Sequence, residues 1–379
     1  MPVYLDHNAT TPLDPRVLEA MRPYLEGPYA NASSLHRYGR AARDAVEAAR
    51  AQVAALVGAR PAQLIFTSGG TEADNLAVKG MAGLAPPTAR LLYAATEHPA
   101  VLETAESLRA HGRSVEVLPV DGEGRLQLEA LDAALAAAAP VALVAVMAAN
   151  NETGVIQPIE AVAARTGAAG VPLLIDAVQA AGRLPLDFVA LGAGLMSLSA
   201  HKIYGPRGCG ALVVDEGIEL EPLLHGGGQE KGRRGGTENL AAIVGFGAAA
   251  ELALAEREAR NGHVEALRNR LEDGLGTIAG SRVFGAGAAR LPNTIQFSVP
   301  GWEGEALLMA LDRRGFAVSS GSACHSGRGQ PSHVLLAMGV PREIAMGAVR
   351  VSFGVQNSAG DVDALLGALR DLTAQVGVA

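Results

Sequence analysis

The sequence predicts an α/β protein: a large domain with a mostly parallel seven-stranded sheet sandwiched by helices, plus a smaller α+β C-terminal domain. Between residues 40 and 214, short aliphatic runs alternate with longer Ala/Glu/Arg segments of helical period, which is the pattern of a parallel sheet covered by helices. Beyond residue 293 the apolar residues instead alternate with polar ones, as in half-buried strands. A chain of 379 residues is long enough for two domains and a large core.

In chain order the pattern predicts helices over 40–56, 72–81, 98–111 and 128–138, the last ending in the alanine-rich stretch 133–139. Strands are predicted over 63–67, 90–94, 114–118, 141–146, 172–176, 194–198 and 211–214, each apolar on consecutive positions as strands buried on both faces are. A single long helical segment over about 240–275 is expected to link the two domains. Strands over 293–299 and 348–353, with helices over 303–314 and 359–376, complete the smaller domain. The expected division is residues 15–255 for the large domain, with 1–14 and 256–379 forming the small one.

Composition narrows the function class. The formal net charge of -8 argues against a chain-wide nucleic-acid footprint, so no direct nucleic-acid partner is expected. No transmembrane span is evident, and the N-terminal residues lack a basic head and apolar stretch, so a cytoplasmic location is expected. Of the two cysteines, Cys209 reads as a small buried residue at a strand start. Cys324 lies in a small-residue loop over 319–327, where a thiol would be accessible. A disulfide between them is not expected in a reducing compartment. Nine histidines occur without zinc-ligand spacing, so no metal is expected.

Chemistry is concentrated at predicted strand ends, where open α/β sheets bind ligands. Only three lysines occur, and Lys202 follows Ser199-Ala200-His201 at the end of an apolar run. A desolvated lysine amine can lose its proton and form a Schiff base, which arginine cannot do. The plain alternative is a lysine whose stem lies on a sheet edge with its ammonium in water. Residues 67–75, Thr-Ser-Gly-Gly-Thr-Glu-Ala-Asp-Asn, follow a strand and open a helix, which suits an anion; Ser68 or Thr71 as a simple helix cap suits it equally. Ser199 and His201 add donors near Lys202, enough for a phosphate monoester. Asp176 closes a strand and could stay ionised against a buried ring N–H, or cap the next helix. His98, in Thr96-Glu97-His98-Pro99, suits stacking on a ring, or a hydrogen-bonded place at a helix start.

Together these stretches resemble the cysteine desulfurases of the NifS/IscS type, fold-type I pyridoxal-phosphate enzymes of the class V aminotransferase family. The resemblance runs from residues 4–11 through 68–72, 96–98, 150–154, 176–179, 199–206, 225–230, 236–237 and 319–324 to 350–353, nearly the whole chain. It implies that Lys202 holds pyridoxal 5'-phosphate as a Schiff base and later shuttles protons. Asp176 would pair with the pyridine nitrogen, Gln179 with the ring hydroxyl, and His98 would stack on the ring and act as acid-base group. Gly70, Thr71, Ser199 and His201 would hold the phosphate, joined by Thr237 from the other subunit of a homodimer. Asn151 would lie near ring and substrate, and Arg350 would take the substrate carboxylate bidentately.

The resemblance further implies that L-cysteine is the substrate, that the Cys324 thiolate attacks its sulfur, and that L-alanine leaves while Cys324 keeps a persulfide for an acceptor. That acceptor would be an iron-sulfur scaffold or a tRNA-thiolation protein. A selenocysteine lyase or another β-elimination enzyme on the same cofactor is the alternative chemistry. A sulfur-carrier or assembly protein that works chiefly by docking partners is a third reading, opposed by the intact Lys202 and Cys324. The spacing from Cys324 to Pro331 matches the longer cysteine loop of the IscS-like branch. Within that loop His325 and residues 327–329 depart from the expected residues; His7 stands where the family often has Asn, and is expected to matter little for chemistry.

Overall fold

A computed structural model describes residues 2–27, 29–320 and 330–376. After a two-residue strand β1 (Val3–Tyr4), helices α1 (Pro15–Glu26) and α2 (Arg37–Leu56) lead to β2 (Leu64–Thr67). Then α3 (Gly70–Leu84), β3 (Arg90–Ala94), α4 (Pro99–Ala110), β4 (Ser114–Leu118), α5 (Leu128–Ala136), β5 (Val141–Met147), α6 (Ile159–Ala168) and β6 (Leu173–Asp176) alternate. A short α7 (Phe188–Leu191) precedes β7 (Leu195–Ser199), β8 (Gly210–Val214) and the long α8 (Leu240–Ala255). The strands form one seven-stranded sheet in the order β2-β8-β7-β6-β5-β3-β4, with β8 alone antiparallel to its neighbours. All seven lie within one residue of their predicted bounds.

Consecutive apolar residues make this sheet because both its faces are covered. Leu92, Val144, Ile175, Met196 and Val213 point into one core with α2, α5, α6 and α8. Their neighbours Leu91, Leu143, Leu174, Leu195 and Leu212 point into a second core beneath α3 and α4. Burying each such side chain stabilises the fold by about 1.5–3 kcal/mol. The expectation of two buried faces fails at β4, which is the sheet edge: Ser114 and Val117 are exposed. On that strand Glu116 accepts from Arg90 Nη1 at 2.7 Å. On the other side, α2 and α8 pack closely because Gly247 has no side chain; a Cβ there would come within 2.8 Å of the Ala49 backbone.

One buried ion pair ties this layer together. Arg50 of α2 donates to both carboxylate oxygens of Glu230 at 2.8 and 2.9 Å, and Glu230 also accepts the Phe66 amide at 2.9 Å. Removing one member leaves the other buried and uncompensated. Arg50→Met is therefore expected to cost about 3–5 kcal/mol of stability, read as a lowered urea midpoint, and a loss under about 1 kcal/mol would count against it.

The chain continues through α9 (Arg257–Leu275), β9 (Arg282–Val283), β10 (Thr294–Ser298), α10 (Gly304–Asp312) and β11 (Phe316–Ala317). It ends with α11 (His333–Ala337), α12 (Arg342–Met346), β12 (Ala348–Ser352) and α13 (Ala359–Val376). Antiparallel β12-β10-β9 and the parallel pair β1-β11 surround a separate core that includes Leu5, Leu271, Phe297, Val351 and Leu369. The single helix expected over 240–275 is two helices, broken at Glu256. Two burial demands explain the break. The apolar α8 is buried in the sheet core, whereas Val264, Leu267, Leu271 and Leu275 of α9 face the other core. Glu256 fastens the junction through Arg16 at 2.5 Å and Arg260 at 2.7 Å. Among the described residues, no helix is long and apolar enough to cross a membrane.

Candidate active site

The carboxyl ends of the parallel strands converge on one cavity of about 420 Å³. Asp176 is the last residue of β6 and Ser199 the last of β7; His98 follows β3, and Asn151 follows β5. Gly70 and Thr71 open α3 over the same edge, while Gln179, His201, Lys202 and Arg350 complete the wall. Ten of the residues singled out in the sequence thus meet in one place. Thr237 is exposed and outside this wall, and Cys324 lies outside the described residues.

Lys202 is presented by a tight turn. Ala200–Lys202 form a 3-10 turn directly after β7, and the Gly205 amide returns to the Ala200 carbonyl at 2.9 Å. A side chain at Gly205 would come within 2.7 Å of that carbonyl oxygen. Tyr204 adopts a left-handed backbone, φ 68°, a strained conformation for a bulky residue. Its amide bonds to Thr11 Oγ1 at 2.8 Å, and its hydroxyl accepts from the Val355 amide at 3.0 Å. Lys202 Nζ donates to the carbonyl oxygens of Asn8 and, at 2.8 Å, Ala9.

His98 caps α4, its Nδ1 accepting the Ala100 amide at 3.1 Å, which puts the proton of the neutral ring on Nε2. Burial, with the Lys202 cation and His333, lowers its pKa against the opposing pull of Asp176. Asp176 is buried, and its Oδ1 accepts the Val178 amide at 2.9 Å. Burial raises its pKa, while His98 and Lys202 favour the ionised form. His201 Nδ1 contacts Thr10 Oγ1 at 3.1 Å, and burial with Lys202 pushes its pKa down to about 4.

Among the described residues no side chain caps α3, whose N-cap is Gly69, so the amides of its first turn are left for a ligand. A Cβ at Gly70 would come within 2.7 Å of Val178 Cγ2, so only glycine keeps this approach open. A helix N-terminus, the hydroxyl of Ser199 and the imidazole of His201 suit a phosphate; a strand-end carboxylate suits a ring N–H; a nearby amine suits an aldehyde.

Arg350 is buried at the far side, with Nη2 on Asp6 Oδ1 at 2.6 Å, Nη1 on the Asn151 carbonyl at 3.0 Å and Nε unpaired among the described residues. The fork expected to face a substrate carboxylate is thus shared with Asp6. Asn8 is a member of the site that the sequence does not mark. Its carbonyl receives both Lys202 Nζ and Gln179 Nε2, and its side chain donates to Thr294 Oγ1 at 2.8 Å. Asp74, also unforeseen, lines the cavity from α3. Its only sequence signal was its place in the 67–75 stretch, one helical turn past the glycines.

Next to Asn8, His7 is buried; a Cβ at Gly354 would overlap its ring. Burial, then the Arg183 cation, pushes its pKa down to about 4. The unfolded chain takes up this proton near pH 6.5 and the native protein only near pH 4, so stability is full above pH 6.5 and falls as pH drops through that interval. The loss at the acid end is on the order of 3 kcal/mol. His7→Asn is expected to flatten this slope in melting temperatures taken from pH 7 to 4.5; an unchanged slope would contradict it.

Comparison with known proteins places this site in context. The profile described as aminotransferase class-V matches residues 3–365. The chain is 46% identical over 377 residues to a cysteine desulfurase of Cereibacter sphaeroides, covering 99% of this chain and 96% of that one. Among solved structures, a NifS-like protein superposes with a TM-score of 0.92 at 38% identity, covering 99% of this chain and 100% of that chain. SspA in complex with cysteine superposes with a TM-score of 0.82 at 32% identity, covering 93% and 99%.

Proposed function

The chain belongs to the aminotransferase class-V family, and we propose that its cavity converts L-cysteine to L-alanine and delivers the sulfur, through Cys324, to an acceptor protein. It is a pyridoxal-phosphate-dependent cysteine desulfurase of fold type I. The observation that carries the assignment of residues is the meeting of Lys202, Asp176, His98 and the uncapped start of α3 around one cavity.

Gly70, Thr71, Ser199 and His201 would hold the cofactor phosphate, with Thr237 supplied by a second copy in a homodimer; the exposure of Thr237 outside the cavity is consistent with that division. Asp176 would meet the ring nitrogen, Gln179 the ring hydroxyl, and His98 would lie against the ring. When bound, pyridoxal phosphate supplies an electron sink for negative charge developing on the substrate carbons.

The protein's own groups do the rest. Lys202 would anchor the cofactor and, once displaced by the substrate amine, carry protons. His98, kept neutral by burial, is available as a base. Arg350 and Asn151 would orient the substrate carboxylate, Arg350 exchanging part of its bond to Asp6 for the ligand. The Cys324 thiolate forms the new S–S bond as the C–S bond of the substrate breaks, and the carbon fragment takes a proton and leaves as L-alanine. The persulfide then passes to an iron-sulfur scaffold or a tRNA-thiolation protein, in a cytoplasmic setting. Incubating the holoenzyme with L-cysteine and a reductant should yield alanine and sulfide in equal amounts. Turnover of selenocysteine alone, with no alanine from L-cysteine, would replace this reading with a selenocysteine lyase.

A further inference from the structure

Two buried carboxyl groups, Asp74 and Asp176, line the cavity and a third, Glu97, lies behind them; the mechanism uses only Asp176. Met147, Asp176 and Ser197 are neighbours in register across β5, β6 and β7. Glu97, fully buried just after β3, joins the row by accepting the Met147 amide at 2.6 Å. Asp74 reaches the same place from α3, 1% exposed, where it lines the cavity.

The three are not equally supported. Asp176 has the Val178 amide and the charges of His98 and Lys202. Among the described residues Glu97 has one amide, and its Oε2 is buried without a hydrogen bond. Asp74 has neither an amide nor a cation among the described residues: its Oδ1 is buried without a partner there, and the charges facing it are those of Asp176 and Glu97, both acidic. The Ser197 hydroxyl lies against Asp74 and Asp176 without a well-aligned bond to either among the described residues, and its contact favours the ionised form of each.

Neighbouring carboxylates in a low-dielectric pocket do not all ionise, and the proton stays where cations and N–H donors are fewest. We propose that Asp74 is a positioning residue, a neutral carboxylic acid that donates toward Asp176 and leaves Asp176 as the charged acid of the floor. Only the protonated form can donate, and the carboxylates of Asp176 and Glu97 beside it are acceptors only, whereas the Ser197 hydroxyl can donate as well as accept. Burial and the two acidic neighbours push the Asp74 carboxyl well above the usual range, and burial with Asp176 does the same for Glu97. Given the proposed function, this arrangement concentrates the negative charge where the ring nitrogen of the cofactor would sit.

Two substitutions separate this from a packing role. Asp74→Asn is neutral and keeps a donor; Asp74→Val keeps the shape and loses it. In spectrophotometric pH titrations of the holoenzyme, Asp74→Asn is expected to leave the midpoint of the cofactor's visible band within about 0.3 pH unit of wild type. Removing a real charge would move it by a unit or more, and such a shift overturns the proposal. Asp74→Val is expected to raise the dissociation constant for pyridoxal phosphate at least about tenfold, with Asp74→Asn within about threefold. Equal losses in both also overturn it. Infrared spectra of protein carrying isotope-labelled aspartate give a readout that needs no cofactor. A protonated-carboxyl C=O band should be present at pH 7 and vanish in Asp74→Asn, and its absence from the wild type overturns the proposal even if the assigned reaction stands.

Discussion

Replacing Lys202 with alanine is expected to lower alanine formation from L-cysteine by at least about a thousandfold, because both covalent anchoring and proton transfer depend on this amine. Among the described residues, no other lysine lines the cavity. Lys231 is exposed and bonded to the Ala62 carbonyl at 3.0 Å. Lys202→Arg should fail nearly as badly, since arginine keeps the charge but does not give up its proton. That pair of variants separates amine chemistry from electrostatics. Because Lys202 Nζ also ties down the carbonyls of Asn8 and Ala9, the melting temperature must be compared, so that lost activity is not lost folding. Borohydride should attach the cofactor covalently to wild type and not to either variant. Attachment at another residue, or more than a tenth of wild-type turnover, would refute the assignment.

Cys324→Ala should abolish the protein persulfide and lower alanine formation at least about a hundredfold while leaving cofactor binding intact. The other cysteine, Cys209, is 2% exposed just before β8, as its sequence setting suggested. Burial pushes its thiol up to about 12. Cys209 is thereby held as the thiol at neutral pH, and sulfur attack needs the thiolate. Rescue by Cys209 is therefore not expected. Alkylation and mass measurement after one turnover give the test. Undiminished alanine in the variant, or a persulfide on Cys209, would contradict the proposed path.

Much of this site is legible along the chain because parallel sheets bind ligands at strand ends, and strand ends can be read from apolar runs. Lys202, Asp176 and Ser199 each sit at or just past such an end. Asn8 carried no such mark, since its importance comes from accepting Lys202 and Gln179 on a backbone oxygen, which every residue possesses. Asp74 looked like one polar residue in a helix start. The resemblance implies that Arg350 takes a substrate carboxylate bidentately, and nothing along the chain tells that Asp6, 344 positions away, already occupies part of its fork. The break at Glu256 was hidden for a related reason: α8 and α9 share a helical period, and only the two cores they serve set them apart.

By itself, then, the sequence determined the order and bounds of the sheet strands, the amine at the end of β7 and the carboxylate at the end of β6, because these follow from local periodicity and residue chemistry. Tertiary structure decided which distant groups share a buried space: Asn8 beneath Lys202, Asp6 on Arg350, and Asp74 and Glu97 beside Asp176. Proximity and desolvation set how such groups pair and where their protons rest, and neither is carried by the order of residues along the chain.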